Sequence, residues 1–207
     1  MSNYSEMYFT SNGTLISYPD LKNLKLDDML VRLSREHRFS GASDCTVLRH
    51  IIAMYTVACE LGLSKRVKEV VLTHDIQEAL VRDVPSSFKS FIGDAWHDAE
   101  DNIKHNVSKR FRWLEENDLS ENDFTDFNNL DLMAGYVEAK VFFKYDDMAE
   151  FIKEAMVAKG TYIEEMRQPL VDALSEHISK ERCVRAALVL ANARRVYKDF
   201  FPESVWE

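Results

Sequence analysis

The segment 71–89, VLTHDIQEALVRDVPSSFK, begins as an apolar helix and then brings four ionisable side chains close together. These side chains are His74, Asp75, Glu78 and Asp83. An imidazole beside a carboxylate is a ligand pair for divalent transition metals, and nearby carboxylates can serve in proton transfer. The segment therefore predicts either a solvated helix end or half of a metal-dependent active site that needs ligands from elsewhere.

Two other predicted helices carry a polar residue on their apolar stripe. In the helix predicted over 46–61, His50 has apolar residues three positions before it and four after it. In the helix predicted over 127–144, Asp131 interrupts the stripe in the same way. A bare aspartate there costs several kcal/mol to bury unless it is paired or binds a metal. The pattern predicts a mixed nitrogen and oxygen site for Co, Mn, Zn, Ni or Fe rather than Mg, with the ligands His50, His74, Asp75 and Asp131.

Each of these residues also has a structural interpretation. A single inward histidine is more often a hydrogen-bonded core residue than a ligand, and Asp131 can be the buried partner of Arg38 or Arg49. The coincidence of buried polar residues on three separate helices favours the metal site. The remaining histidines that lie among charged and amide residues are predicted to be solvated, namely His97, His105 and His177, while His37 has no predicted role.

The elements that would position these residues are mostly helices. Apolar residues recur at helical spacing, and the chain has only six glycines and four prolines, so we predict an all-α fold. Asp44 or Ser43 is the predicted N-cap of the helix over 46–61, which ends at Gly62, and Ser64 is the N-cap of the next. The other predicted elements are short strands over 7–10 and 14–18, helices over 25–35, 64–81, 88–117, 145–156 (ended by Gly160) and 168–200, and a loop over 117–126.

Length, charge and cysteine usage limit the class of protein. A chain of 207 residues predicts one domain with a sizeable core, and its net charge of −9 argues against a general nucleic-acid-binding face. The three cysteines show no CxxC spacing, which favours reduced thiols and a cytoplasmic location; they are Cys45, Cys59 and Cys183. Neither a secretory signal nor a membrane span is expected.

The order of an inward histidine, a His-Asp pair and a distant aspartate resembles the H…HD…D signature of the HD-domain metal-dependent phosphohydrolases. The segments LSREHRFSG, HDIQEALVRDVPSSFK and LDLMAGYVEAKVFF are similar to the 5′-deoxynucleotidase-like branch and to small bacteriophage enzymes of the dATP triphosphohydrolase type. The resemblance covers about 26–143. It implies a single HD-domain helical bundle over 1–207, with helices over 145–200 packing on that core.

The resemblance also implies roles for the other residues of these segments. Glu78 would orient or deprotonate water whose pKa the metal lowers to roughly 7. Asp83 would protonate a leaving oxygen or bind a sugar hydroxyl. Arg38 and Lys89 would contact phosphate, and Phe39 would stack on a base or ribose. The structural alternatives are a surface carboxylate for Glu78 and the cap of a turn before Pro85 for Asp83. For Arg38 and Lys89 the alternative is a surface cation, and for Phe39 a core aromatic.

Three departures from the family pattern bear on the substrate. Ile51 follows His50 where a small polar residue is common, Phe39 replaces the tryptophan of many nucleotidases, and Gly41 precedes Ala42 rather than His-Thr. These changes keep the metal ligands and leave the base and phosphate-chain preference open.

The predicted activity is hydrolysis of deoxynucleotides, either dNTP to deoxynucleoside plus triphosphate or dNMP to deoxynucleoside plus phosphate. The alternatives are hydrolysis of another phosphoester, such as a cyclic or signalling nucleotide, and a bundle that binds a nucleotide without turnover. We expect a small-molecule nucleotide as partner, no membrane, a homo-oligomer, and the host cytoplasm if the protein is of phage origin.

Overall fold

The structure is a computed structural model that describes residues 7–9, 15–17, 21, 23–113, 116–143, 147–158, 164–182 and 186–206. The described part of the chain is an all-α bundle, which confirms the predicted fold class. It also contains two short strands, β1 (Met7–Phe9) and β2 (Leu15–Ser17), which pair antiparallel with Met7 opposite Ser17. Both strands lie within the ranges predicted for them. None of the described helices is long and apolar enough to cross a membrane.

The helices of the described residues follow in chain order. They are α1 (Leu26–Leu33), α2 (Val47–Glu60), α3 (Lys65–Thr73), α4 (Glu78–Val81), α5 (Ser86–Ile92), α6 (Asp94–Phe111), α7 (Glu121–Phe142), α8 (Asp147–Ala158), α9 (Glu164–Arg182) and α10 (Ala186–Phe200). Short 3₁₀ turns lie at Glu116–Asp118 and Glu203–Val205.

Helix α2 lies at the centre of the bundle and is buried on two sides. Its N-terminal half packs in a core cluster that includes Leu30 of α1 and Tyr197 of α10. Its C-terminal half packs in a second cluster with Val70 of α3 and Ala134 of α7. Helix α9 contacts both α2 and α7, and α8 contacts α7. His50 is therefore held on the most completely packed helix of the site.

The helix caps match the sequence predictions in two of three places. Ser64 caps α3, since its Oγ accepts the Val67 N–H at 3.1 Å, and Gly62 ends α2 with a φ of +66°. The predicted cap of α2 is wrong by two or three residues, because Thr46 Oγ1 accepts the Arg49 N–H. Ser43 instead accepts the Cys45 N–H, in the turn that precedes the helix.

Three predicted helices have different boundaries in the structure. The helix predicted over 88–117 is divided at Gly93, whose φ of +73° breaks the run. The loop predicted over 117–126 is largely helical, because Ser120 Oγ accepts the Asp123 N–H and starts α7 there. The helix predicted over 168–200 is divided into α9 and α10, with 183–185 outside the described residues, as is Gly160.

Helix α3 also ends earlier than predicted. The helix expected to continue to about residue 81 stops at Thr73, and a turn over 74–77 separates it from α4. In this turn the Ile76 N–H bonds to Thr73 O at 3.2 Å, and the Leu72 carbonyl accepts the Tyr197 hydroxyl instead. The turn places His74 at the C-terminal end of α3.

Candidate metal centre

Helices α2 and α3 bring two buried imidazoles together at one point. His50 is fully buried and His74 is 4% exposed. Their Nε2 atoms lie 3.3 Å apart. Packing of α2 against α3 fixes this separation, and the turn after α3 directs His74 toward α2.

Two carboxylates complete the cluster. Asp75 Oδ2 lies 3.2 Å from His74 Nε2 and 3.7 Å from His50 Nε2. Asp131 Oδ1, on α7, lies 3.2 Å from His50 Nε2 and 3.7 Å from His74 Nε2. Ligands about 2.0–2.2 Å from one ion at tetrahedral angles lie about 3.3–3.6 Å apart, so the distances among His50, His74 and Asp75 are close to those around a single metal. The structure thus brings together all four predicted ligand residues, and the His50, His74 and Asp75 donors form a cluster that could hold a metal ion.

Hydrogen bonds on the far side of each ring fix the protonation of the imidazoles. His50 Nδ1 donates to Glu138 Oε1 at 2.8 Å, and His74 Nδ1 donates to Val71 O at 2.9 Å. Both partners are acceptors: burial acts to raise the pKa of Glu138, but His50 and Arg38 outweigh it and keep the carboxyl ionised. With each Nδ1 used as a donor, the two Nε2 atoms face one another and the neighbouring carboxylates, a position where a proton or a metal cation is favourable.

Glu138 lies in the segment LDLMAGYVEAKVFF of α7 and has no role predicted from the sequence. It is fully buried and bonds to His50 and, through Oε2, to Arg38 Nε at 3.3 Å. Arg38 also donates from Nη1 to Asp75 Oδ2 at 3.0 Å. Glu138 follows Asp131 by seven residues, two turns along the same helix face, and this spacing is the signal that could have identified it.

The electrostatics of the cluster favour positive charge between the rings. Burial and the Arg38 guanidinium act to lower the pKa of His50, yet the neighbouring carboxylates outweigh them and raise it. Burial also acts to lower the pKa of His74, but Asp75 and Asp131 raise it well above its usual value. Burial acts to raise the pKa of Asp131, but hydrogen bonds from the two imidazoles lower it well below the usual range. A bound cation would replace the protons that these shifts retain.

Glu78 is a buried carboxyl next to the cluster, not the surface carboxylate of the alternative interpretation. It is the first residue of α4 and is only 5% exposed. Among the described residues, no group forms a hydrogen bond with its Oε2 atom. Burial and the charge of Asp75 raise the pKa of Glu78 well above its usual value. This carboxyl is therefore suited to hold or accept a proton.

A cavity of about 500 Å³ opens beside the cluster. Its volume is in the range of ligand sites for small molecules. The residues predicted from sequence that line it are Arg38, Phe39, Asp75, Glu78, Asp83, Lys89 and Asp131, while His50 and His74 lie at the buried side of the cluster.

Phe39 lies in a turn at the edge of this cavity, and Asp83 forms a hydrogen bond with the backbone of that turn. Asp83 Oδ2 accepts the Ser40 N–H at 2.9 Å, and Phe39 and Ser40 have φ angles of +57° and +55°. Such left-handed angles are costly for residues other than glycine, so the Asp83 bond stabilises this turn. Phe39 packs edge-on against Phe143 with ring centroids 5.1 Å apart and also lines the cavity.

Lys89 differs from the isolated cation predicted from sequence. Its Nζ lies 2.6 Å from Glu100 Oε1, and Glu100 also accepts from Trp96 Nε1. The Lys89 side chain lines the cavity, and the Glu100 carboxylate of α6 balances part of its charge. Among the described residues, Arg38 forms ion pairs with Asp75 and Glu138, whereas Asp131 lies against the two imidazoles, so the alternative that Asp131 pairs with Arg38 is not supported.

The histidines outside the cluster mostly follow the predictions. His97 and His105 are exposed, as expected. His177 is partly exposed, and its Nε2 lies 2.8 Å from Glu60 Oε1. His37, which had no predicted role, pairs through Nδ1 with the Ser43 carbonyl at 2.9 Å.

Fold and site define an all-α helical protein with two buried histidines and two partly exposed aspartates beside a ligand-sized cavity. No protein-family model matches the chain, and no curated protein matches it either.

Proposed function

We propose that the chain is a metal-dependent phosphohydrolase of the HD-domain type that acts on deoxynucleotides. The products are a deoxynucleoside plus triphosphate from a dNTP, or a deoxynucleoside plus phosphate from a dNMP. The observation that carries this proposal is the convergence of two Nε2 atoms, 3.3 Å apart, with the Asp75 carboxylate, and with Asp131 in contact with both imidazoles, beside a cavity lined by Glu78 and Arg38.

The ligand set indicates the kind of metal and its contribution. Two imidazoles and two carboxylates favour Co, Mn, Zn, Ni or Fe over Mg, which prefers oxygen ligands and water. A divalent ion held by His50, His74, Asp75 and Asp131 supplies Lewis acidity toward a phosphate oxygen and lowers the pKa of water.

Glu78 is the proposed proton acceptor. Its Oε2 has no protein partner among the described residues, and burial together with the charge of Asp75 raises its pKa, which makes the carboxylate a better proton acceptor. Asp83 is proposed to contact a sugar hydroxyl or the leaving oxygen. Its bond to Ser40 also holds in place the turn that carries Arg38 and Phe39.

Two cations are proposed to bind the phosphate. Arg38 uses Nε and Nη1 for its bonds to Glu138 and Asp75, and a guanidinium has five N–H groups, so the fork retains donors for a phosphate oxygen. Lys89 also lines the cavity and can exchange Glu100 for a phosphate. Together the two cations compensate the negative charge that the substrate brings next to the four carboxyl groups of the cavity lining.

A substrate screen tests this function directly. Purified protein is loaded with Mn²⁺ or Co²⁺ and incubated with each dNMP and dNTP, and the products are identified by chromatography and phosphate release. We expect metal-dependent release of phosphate or triphosphate. Failure with every deoxynucleotide would contradict the proposal, and turnover of cyclic or signalling nucleotides alone would identify a different phosphoester hydrolase. Binding of nucleotides with no turnover of any would indicate a binding module.

A further inference from the structure

The residues that line the cavity beside the metal cluster are of two kinds. The charged lining residues are Asp75, Asp131, Glu78, Asp83 and the two cations already described. The apolar lining residues, together called the apolar half, are Val84, Pro85, Leu132, Gly135, Phe151 and Ile152. A ligand that fills such a cavity carries both a charged group and an apolar group.

Gly135 leaves a notch in the wall that α7 contributes. It follows Asp131 by four residues, about 6 Å along the helix. A Cβ atom at this position would meet no atom of another segment within 4 Å among the described residues, and the glycine needs no positive φ. Glycine is unfavourable in a helix interior. Since neither packing nor backbone geometry requires it here, the space that it leaves is available to a ligand.

Phe151 offers an aromatic face at the edge of the same half. It is 63% exposed, whereas its neighbour Ile152 is partly buried and packs against the core of the bundle. Both line the cavity. Ile152 therefore fixes α8 on the bundle, and Phe151 extends a flat apolar surface toward the cavity without being needed in the core.

We propose that the apolar half of the cavity binds the nucleobase of the substrate, that Gly135 sets how large a base fits, and that Phe151 stacks on it. This inference rests on the proposed function, because the phosphate end of the nucleotide then lies at the metal cluster. A base is the flat, largely apolar group of a nucleotide, and stacking of a base on an aromatic ring changes affinity by roughly five- to a hundredfold.

The first test increases side-chain size at Gly135 in the metal-loaded protein, with Gly135→Ala and Gly135→Leu. We expect Gly135→Leu to reduce kcat/KM at least tenfold for purine deoxynucleotides and less for pyrimidine ones, with Gly135→Ala in between. Hydrolysis of 2-deoxyribose 5-phosphate, which has no base, and the metal content should not change. Asn122→Leu, an exposed position on the same helix, is the matched control and should behave as the unmodified protein.

The second test removes the aromatic face with Phe151→Ala and uses Leu188→Ala, a similarly exposed apolar residue on α10, as its control. Calorimetric titration of nucleotide into metal-loaded protein gives the affinity without relying on turnover. We expect about tenfold weaker binding of deoxynucleotides for Phe151→Ala and no change for the control. Unchanged affinity for base-bearing ligands in both Gly135→Leu and Phe151→Ala, or equal losses for base-free ones, would overturn the proposal.

The two proposals fail in different ways. If the unmodified protein hydrolyses nucleotides and no variant alters its base preference, the base subsite is wrong while the proposed function stands. The other outcome is that the protein binds nucleotides without hydrolysing them, and that Gly135→Leu weakens this binding more for larger bases. In that case the base subsite stands and the proposed reaction is wrong.

Discussion

At the scale of single residues, the cluster depends on which atom of each imidazole faces it. Glu138 and the Val71 carbonyl occupy the two Nδ1 positions, so both Nε2 atoms remain as ligands. The types and spacing of His50, His74 and Asp75 were enough to predict a cluster that could hold a metal ion, and Asp131 as a fourth ligand stays a prediction. The role of Glu138 was not predictable in the same way. Its partner His50 lies on α2, and only the packing of α2 against α7 brings the two residues together.

Glu138→Gln tests this outer contact. Glutamine keeps the size and the hydrogen-bonding oxygen but loses the charge that holds the His50 ring and Arg38. Loss of such an outer partner lowers metal affinity by roughly 10- to 100-fold. Competition of the variant with a metal-sensitive dye for Co²⁺ measures this change. Equal affinities for the variant and the unmodified protein would show that the charge of Glu138 does not act on the metal site.

The ligands and the proposed base are separable by substitution. His74→Ala and Asp131→Ala should each abolish tight metal binding and turnover, because each removes a direct donor. Glu78→Ala should retain the metal and lose turnover, since Glu78 lies beside the cluster without belonging to it. Metal content by elemental analysis, together with phosphate release, distinguishes the two classes. Retained metal binding and activity in Asp131→Ala would mean that α7 contributes no ligand.

The raised pKa values of His50 and His74 predict opposite pH dependence with and without metal. In metal-free protein the retained protons stabilise the fold below the ordinary histidine pKa of about 6.5, and this stabilisation is lost as the pH rises through the raised values. Metal competes with the same protons, so its stabilisation grows as the pH rises. As the pH is raised from 6 to 9, the Tm in excess EDTA should fall increasingly below the Tm in excess Co²⁺. Parallel curves would contradict proton competition at this site.

At the scale of elements, periodicity predicted the helices that carry the site but not where α3 stops. The apolar stripe of α3 continues through His74, so the sequence favours one helix to about residue 81. At this break the Leu72 carbonyl accepts a hydrogen bond from the hydroxyl of Tyr197, which lies 125 residues later in the chain. Local sequence carries no information on a partner at that distance. The break before α6 has a local cause instead, the positive φ of Gly93.

Tyr197→Phe tests the contribution of this contact. The ring stays in the core, but the buried Leu72 carbonyl loses the donor that Tyr197 provides. An unsatisfied buried acceptor costs about 1–3 kcal/mol, so urea unfolding should show a loss of that size. Tyr55→Phe, at a partly exposed position of α2, is the control and should change the free energy of unfolding by less than about 0.5 kcal/mol. A loss no greater than that of the control would show that water or another donor replaces the hydroxyl.

At the scale of the whole molecule, the two core clusters meet at α2, and the metal cluster lies where they join. Opening of either cluster therefore moves at least one ligand. The net charge of −9 gives no direct guide to assembly, and the predicted homo-oligomer stays a prediction. The described residues show instead that α10, near the end of the chain, packs on α1 and α2. The C-terminal helix thus belongs to the unit that supports the site.

Thiol labelling reports this global opening. Cys45 is buried just before α2, where burial and Glu138 raise the pKa of its thiol well above the usual value, whereas Cys59 is exposed at the other end of the helix. In a Cys183→Ser variant, which removes the cysteine outside the described residues, Cys59 should react at once. Cys45 should react only as the molecule unfolds, because the neutral buried thiol is neither nucleophilic nor accessible. A metal that binds only the folded state lowers the unfolded population, so excess Co²⁺ should slow Cys45 labelling and leave Cys59 unchanged. Mass spectrometry of labelled peptides measures both rates, and fast labelling of Cys45 in the metal-loaded protein would show that the turn before α2 opens independently of the site.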